Sequence, residues 1–219
     1  MVNRSFRIPS LEQTQENPFW LSVGDLMSGL LLVFVLILFA VLHQLFQRQE
    51  AQRNTREAMI QRLQQELQRS KIDVIIDRQG TITIKESVLF DSGQSILKPK
   101  GQRFLNRFLP VYSKVLFSKR EYRREIVRVV VEGHTDRQGT FSRNLRLSMT
   151  RSLTVSNYIL ARRFHYKKEL RERLLCSGRG ELDANQKRTL FSDRKVLFRI
   201  QFRDIKFLDV WRRFLSGGN

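Results

Sequence analysis

A run of apolar residues from Leu21 to Leu42 constrains this chain more than any other feature. At about 1.5 Å per helical residue it spans roughly 33 Å, which matches a hydrocarbon core of about 30 Å. It exceeds the apolar core of a signal peptide, about 7–15 residues. No small-residue cleavage site follows; the next residues are His43, Gln44, Leu45 and Phe46. The segment reads as an uncleaved anchor that crosses a membrane once.

One residue sets this anchor apart. Asp25 is the only ionisable side chain between Phe19 and Leu42. A carboxylate in hydrocarbon costs about 2–3 kcal/mol at mid-membrane and less near the edge. Asp25 lies about one turn inside the run, so the cost is reduced but real. Such acids face a protein interior or a water path and mark ion pathways. An acid in the first turns of a helix is also favoured by the helix dipole, and the anchor alone leaves both explanations open. One helix cannot enclose an ion path, so a working Asp25 requires partner helices. Gly24, Ser28 and Gly29 are small enough to admit another backbone beside it.

Charge and cysteine usage bound the remainder. The chain has 219 residues, 40 Lys and Arg against 21 Asp and Glu, and a formal charge of +19. That balance suits an anionic partner: nucleic acid, lipid headgroups or a wall polymer. The single cysteine, Cys176, excludes an internal disulfide. Arg48, Arg53, Arg56 and Arg62 follow the apolar run, against Arg4 and Arg7 before it. Counted by the positive-inside rule, this puts the C-terminal side in the cytoplasm.

Beyond the anchor, residues 43–70 are rich in Gln, Arg and Glu and contain no Gly or Pro. That composition favours a helix. Met59, Ile60, Leu63 and Leu67 share one face, which suits either a second copy or a solvated spacer. From Lys71 the period changes. IDVIIDRQGTITI reads as two short strands around a turn at Arg78-Gln79-Gly80. KESVLF reads as a further short strand, followed by a loop and a helix from about Pro99. Ile126–Gly133 is a β-branched run and reads as a buried strand. SRNLRLSMTRSLTVSNYILARRF reads as a helix with Leu145, Met149, Leu153 and Tyr158 toward the core. Leu174–Ser177 and Lys195–Phe202 are further strand candidates. Strands alternating with helices give an α+β class, here an α/β sandwich with a mixed sheet.

Two blocks of residues carry a resemblance. VLFDSGQSILKPKG, EGHTDRQGTFSRNLRLSMTRSLTVSNYIL, SGRGELDANQ and SDRKVLFRI, spread over roughly residues 85–203, resemble the OmpA-like peptidoglycan-binding domain. The stretch T-D-x-x-G-x4-N-x-x-L-S-x-x-R is its specific part. Independently, PFWLSVGDLM at Pro18–Met27 resembles the MotB class of stator subunits, with Asp25 where that class keeps its ion-carrying aspartate. Together they are most similar to the B subunits of Zorya anti-phage systems.

The resemblance implies a B subunit of a proton- or sodium-driven rotary motor that is not an enzyme and carries no cofactor beyond the translocated ion. It implies residues 1–19 in the cytoplasm, 20–42 across the inner membrane, 43–70 as a polar linker helix, 71–203 as a periplasmic wall-binding domain, and 204–219 as a tail. The implied partners are a second copy of the chain, a ring of a MotA-like (ZorA-like) membrane subunit, and peptidoglycan. Gram-negative stem peptides carry diaminopimelate, which ends in an ammonium and a carboxylate. Asp136 matches the family position that accepts from the ammonium. Arg151 matches the one that grips the carboxylate through its planar fork. Asn144 and Leu147 fall on the motif between them, and Thr135, Asp91 and Arg194 match further lining positions. Departures exist: Asp193-Arg194-Lys195 replaces Asn-Arg-Arg, and Val23 and Gly24 replace an aromatic and an alanine.

Two other readings use the same residues. A membrane-tethered nucleic-acid binder explains the charge and the positive-inside count, although no nucleic-acid motif is present. A passive wall tether leaves Asp25 inert. Other chemistry lacks support: His43, His134 and His165 are too scattered in sequence for a metal motif, and no phosphate-binding loop is present.

Overall fold

The computed structural model describes residues 18–185 and 191–203. The sequence readings for 1–17 and 204–219 lie outside the described residues. The chain divides into two compact units, Met1–Arg48 and Gln49–Asn219.

Helix α1 (Pro18–Arg69) contributes to both units. In the first, it is long and apolar enough to cross a membrane, with a mean hydropathy of 2.7 over its most apolar window. In the second, the Met59, Leu63 and Leu67 side chains are fully enclosed in the domain core. This apolar face meets neither a second copy nor solvent; it packs against the chain's own domain. The helix stops at a left-handed Lys71, with φ 53°. There Ile72 N–H donates to Leu67 O at 3.0 Å and Lys71 N–H to Gln68 O at 2.9 Å. This is a Schellman stop, and its Leu67–Ile72 contact is part of the core.

Strands β1 (Ile75–Ile76) and β2 (Ile82–Lys85) form the hairpin expected around Gly80. Asp77 Oδ1 accepts from the Gln79 and Thr81 amides at 2.8 Å, and Gly80 adopts φ 80°. The following segment departs from the reading of KESVLF as a strand. Glu86–Leu89 is a helical turn, α2. The Glu86 amide closes the ladder by donating to Arg194 O at 3.0 Å, and the chain then turns. Helix α3 (Pro99–Phe117) sits so close above that a Cβ on Gly101 would lie 2.7 Å from Leu89 O.

The remaining elements are α4 (Arg120–Glu125), β3 (Ile126–His134), α5 (Phe141–Ala161), α6 (Lys167–Arg173), β4 (Leu174–Gly180), a 3-10 turn at Phe191–Asp193, and β5 (Lys195–Phe202). The short helices α4 and α6 carry no apolar periodicity and were not legible in the sequence. The sheet order is β1-β2-β5-β3-β4, with only β3 and β4 parallel. The class is therefore α+β with a mixed sheet, as expected. Val129, Val131 and Phe198 face the helices together with Phe108 and Tyr112.

Helix α5 forms where expected but turns a different face inward. Met149 is 52% exposed and Leu153 48%. Its buried residues are instead Asn144, Ser148, Arg151, Ser152, Val155, Ser156 and Ile159. The reason is the distance to the sheet. A Cβ on Gly133 would lie 2.1 Å from Ser148 O, and one on Gly178 2.6 Å from Ser148 Oγ. A helix pressed onto glycine-bearing strands needs small side chains at the contact. Ser148 Oγ also accepts from the Gly180 amide at 2.9 Å, fixing the helix to β4.

Two stability outcomes follow from this packing. Leu63→Ala should lower unfolding free energy by about 2–5 kcal/mol, the cost of a core cavity, whereas a solvated spacer would lose under about 0.5 kcal/mol. Gly133→Ala should unfold the domain or force α5 off the sheet, read as loss of the cooperative thermal transition. Wild-type stability in either variant would contradict the packing.

Candidate wall-binding site

The site lies where β3 ends. Beyond His134, the Thr135 amide donates to Gly180 O at 2.9 Å, so the chain leaves the parallel strand pair and turns toward α5. Thr140 caps that helix, with Oγ1 accepting from the Arg143 amide at 3.4 Å. Within the turn, Asp136 Oδ1 accepts from the Gln138 amide at 3.2 Å. Asn144 Nδ2 donates to Asp136 O at 3.2 Å and to the Glu181 carboxylate. Asn144 thus clamps two loops rather than offering itself to a ligand.

Four charges meet behind this turn. Arg151, two turns along α5 from Asn144, is 1% exposed. Its Nη2 pairs with Glu86 Oε1, and its Nε donates to Gln94 O at 2.8 Å. The other Glu86 oxygen lies 3.3 Å from Arg194 Nε, which lies 3.2 Å from Asp136 Oδ2. Arg194 Nη1 donates to Ser92 Oγ at 2.9 Å. The result is an alternating chain Arg151–Glu86–Arg194–Asp136, with Arg151 also 5.6 Å from the centre of the Phe90 ring. Two cations against two anions is the balance that burial demands; removing one member of a buried pair costs about 3–5 kcal/mol. Burial pulls the Arg151 pKa below its ordinary value, and Glu86 opposes that shift. An arginine stays charged throughout.

The balance is charge-complete but not hydrogen-bond-complete. Thr135 Oγ1, Asp136 Oδ2 and Arg151 Nη1 are buried with no hydrogen-bond partner. Asp136 Oδ2 has Arg194 Nε nearby, but as an ion pair and not as a well-aligned hydrogen bond. Buried polar atoms are satisfied in most proteins, so each of these three is a candidate to meet a bound partner.

The expected site residues therefore divide. Asp136, Arg151 and Arg194 are joined through Glu86 and one another, and Thr135 directly precedes Asp136 in the turn. Asp91 turns away, 73% exposed and 3.4 Å from Lys98 Nζ, while its neighbour Ser92 holds Arg194. Leu147 is half-buried on α5. The expected fork on Arg151 is largely consumed inside the protein, because Glu86 and Gln94 take Nη2 and Nε. Glu86 was not anticipated. Its only signal was arithmetic: Arg151 and Arg194 buried beside Asp136 need a second carboxylate.

A second polar group lies on the same strand end. His134 Nε2 is 2.8 Å from Glu132 Oε1, and Nδ1 is 3.6 Å from Asp183 Oδ2. Their ligand atoms fall within 4.8 Å of one another. The two ring nitrogens serve different carboxylates, however, and each carboxylate already carries an arginine: Arg199 at 2.8 Å and Arg179 at 3.1 Å. This is an ion-pair network about a histidine rather than a metal cage. Burial lowers the His134 pKa, with Glu132 opposing.

The chain is similar to several known proteins. Residues 89–195 match the OmpA family. A Zorya protein ZorB of Escherichia coli O139:H28 is 30% identical, over 87% of this chain and 83% of its own length. A second Zorya protein ZorB, from Escherichia coli of the Crooks strain, is 33% identical over 68% of this chain and 70% of its own. Among solved structures, a putative MotB-like protein from Desulfovibrio vulgaris aligns with TM-score 0.49 and 25% identity, covering 73% of this chain and 98% of that one. With an apolar N-terminal run carrying one acid and an OmpA-type domain behind it, the chain belongs to the Zorya ZorB family.

Proposed function

We propose that this chain is the B subunit of an ion-driven inner-membrane motor of the anti-phage type, held to peptidoglycan by its C-terminal domain. The observation that carries the wall-anchoring half is the trio of buried, unpartnered polar atoms. Asp136 Oδ2 accepts from the diaminopimelate ammonium, and Arg151 Nη1 and Thr135 Oγ1 donate to its carboxylate. One anion and two donors left without partners suit a zwitterion better than a simple anion. Glu86 and Arg194 hold both partners in place before the ligand arrives, which lowers the cost of ordering the site.

The motor half rests on Asp25. It is exposed on α1, with Ser28 Oγ donating to Gly24 O at 2.8 Å beside it. A Cβ on Gly24 or Gly29 would meet nothing within 4 Å, so the surface around the acid is open to partner helices. In this reading residues 1–19 are cytoplasmic, 43–219 periplasmic, and two copies stand within a ring of a MotA-like subunit. Protons or sodium ions pass through Asp25. Its neutralisation and recharging turn the ring against a core that the wall holds still.

The wall half is tested by sedimenting the full chain, in detergent, with Gram-negative sacculi. Asp136→Asn and Arg151→Lys should each weaken binding at least roughly thirtyfold, the effect of about 2 kcal/mol from a desolvated charge contact, with competing DNA having no effect. Unchanged binding in both variants would remove the pocket from the account, and displacement by DNA would favour the nucleic-acid reading. The motor half is tested by Asp25→Asn. Expression, membrane insertion and sacculus binding should persist while ion flux and phage protection disappear. Full protection in that variant would leave only a passive tether.

A further inference from the structure

Away from the wall site, the opposite end of the domain gathers unpaired positive charge. Residues 114–128 and 162–173 contain twelve Lys and Arg against four Glu. Several contacts place them at one end. Arg173 Nε donates to Ile126 O at 3.2 Å and its guanidinium lies 5.7 Å from the Phe117 ring centre. Ser113 Oγ donates to His165 O at 2.9 Å, joining α3 to the α5–α6 connection. The Arg203 amide donates to Glu125 O at 2.8 Å, bringing in the end of β5.

Charge here is not neutralised as it is at the wall site. There Arg151, Arg194, Arg179 and Arg199 all sit against carboxylates. Here Lys114, Arg120, Arg124, Arg163, Lys168 and Arg171 are exposed and form no ion pair among the described residues. Like charges so concentrated repel one another, and they are retained most simply where an anionic surface neutralises them.

The path of the chain identifies that surface. Helix α1 joins the domain at this same end: Arg56 Nε lies 3.2 Å from Glu125 Oε2, and its guanidinium 5.1 Å from the Phe202 ring centre. Leu42, the last residue of the apolar run, precedes Arg56 by only fourteen positions. An apolar segment long enough to cross a membrane thus lies close in sequence to the basic end. Attraction between exposed Lys or Arg and anionic headgroups acts within a Debye length of about 8–10 Å. Readers of duplex DNA instead insert a helix or a two-stranded ribbon into a groove. The basic residues here lie at the ends of α3 and α5 and on the two short helices α4 and α6, which form a broad face.

We propose that this basic end is a docking surface for anionic phospholipid headgroups, at the end of the domain opposite the wall site. The surface acts independently of Asp25 and of the pocket, so it stands or falls separately from the motor and wall assignments.

The test uses the full chain reconstituted into nanodiscs of phosphatidylcholine alone or of phosphatidylcholine with phosphatidylglycerol, followed by amide hydrogen exchange. Exchange across residues 119–128 and 162–173 should slow several-fold in the anionic discs only. The protection should vanish at about 1 M salt, where the Debye length is about 3 Å. It should also vanish in the combined variant Arg120→Glu, Arg124→Glu, Lys168→Glu, Arg171→Glu, while an unchanged cooperative thermal transition of that variant reports an intact fold. Equal exchange in both lipids, or protection that survives the charge reversal, would overturn the proposal. Stronger protection by duplex DNA added to neutral discs than by anionic lipid would also overturn it and assign the surface to nucleic acid.

Discussion

A guanidinium that is 1% exposed cannot stand alone, and the architecture around Arg151 follows from that constraint. It needs a carboxylate, which Glu86 supplies from the turn after β2. It needs a further acceptor, which Gln94 O supplies from the loop before α3. Glu86 has a second oxygen to satisfy, and Arg194 meets it from the edge of β5. Arg194 then reaches Asp136 beyond the end of β3. One buried charge thus ties together α5, α2, β5 and the β3–α5 turn. What remains after this chain of pairings is Arg151 Nη1 and Asp136 Oδ2, buried without a hydrogen-bond partner.

The same helix shows how packing distance selects residue type. Gly133, Gly178 and Gly180 lower the sheet beneath α5, and Ser148 meets them with its backbone and hydroxyl. Only with the helix this close can Asn144 clamp the Asp136 turn to Glu181 while Arg151, on the same face, reaches Glu86. Close packing and the polar face are therefore one arrangement. Replacing the small contacts with larger apolar ones would lift the helix and separate the charges.

Much of this was legible from residues alone, for identifiable reasons. The hairpin announced itself through two short β-branched runs on either side of Arg78-Gln79-Gly80. The β-branched run of β3 and the Pro99 start of α3 carried local signals of equal strength. The inner face of α5 was not legible by apolar period. Leu145, Met149 and Leu153 form the more hydrophobic stripe, yet the buried face that meets the glycines of β3 and β4 runs through Asn144 and Ser148. Glu86 was hidden for a related reason: a buried acid is explained only by the cations it meets, and those are 65 and 108 positions away in sequence. The face of Met59, Leu63 and Leu67 gave the correct period but not the partner, because periodicity identifies a buried face without naming what buries it. The pairing of Asp136 with Arg151 came from family resemblance. The geometry modifies it, since one nitrogen of Arg151 remains available and not the whole fork.

The central claim is that the site recognises a zwitterion. Calorimetric titration of the full chain with muropeptides compares stem peptides ending in diaminopimelate with stem peptides carrying lysine, which keep the ammonium and lack the carboxylate. The diaminopimelate form should bind at least about tenfold tighter, the equivalent of about 1.4 kcal/mol for the contact to Arg151 and Thr135. Equal affinity for the two would contradict it, because the unpartnered atoms around Arg151 would then have no role in recognition.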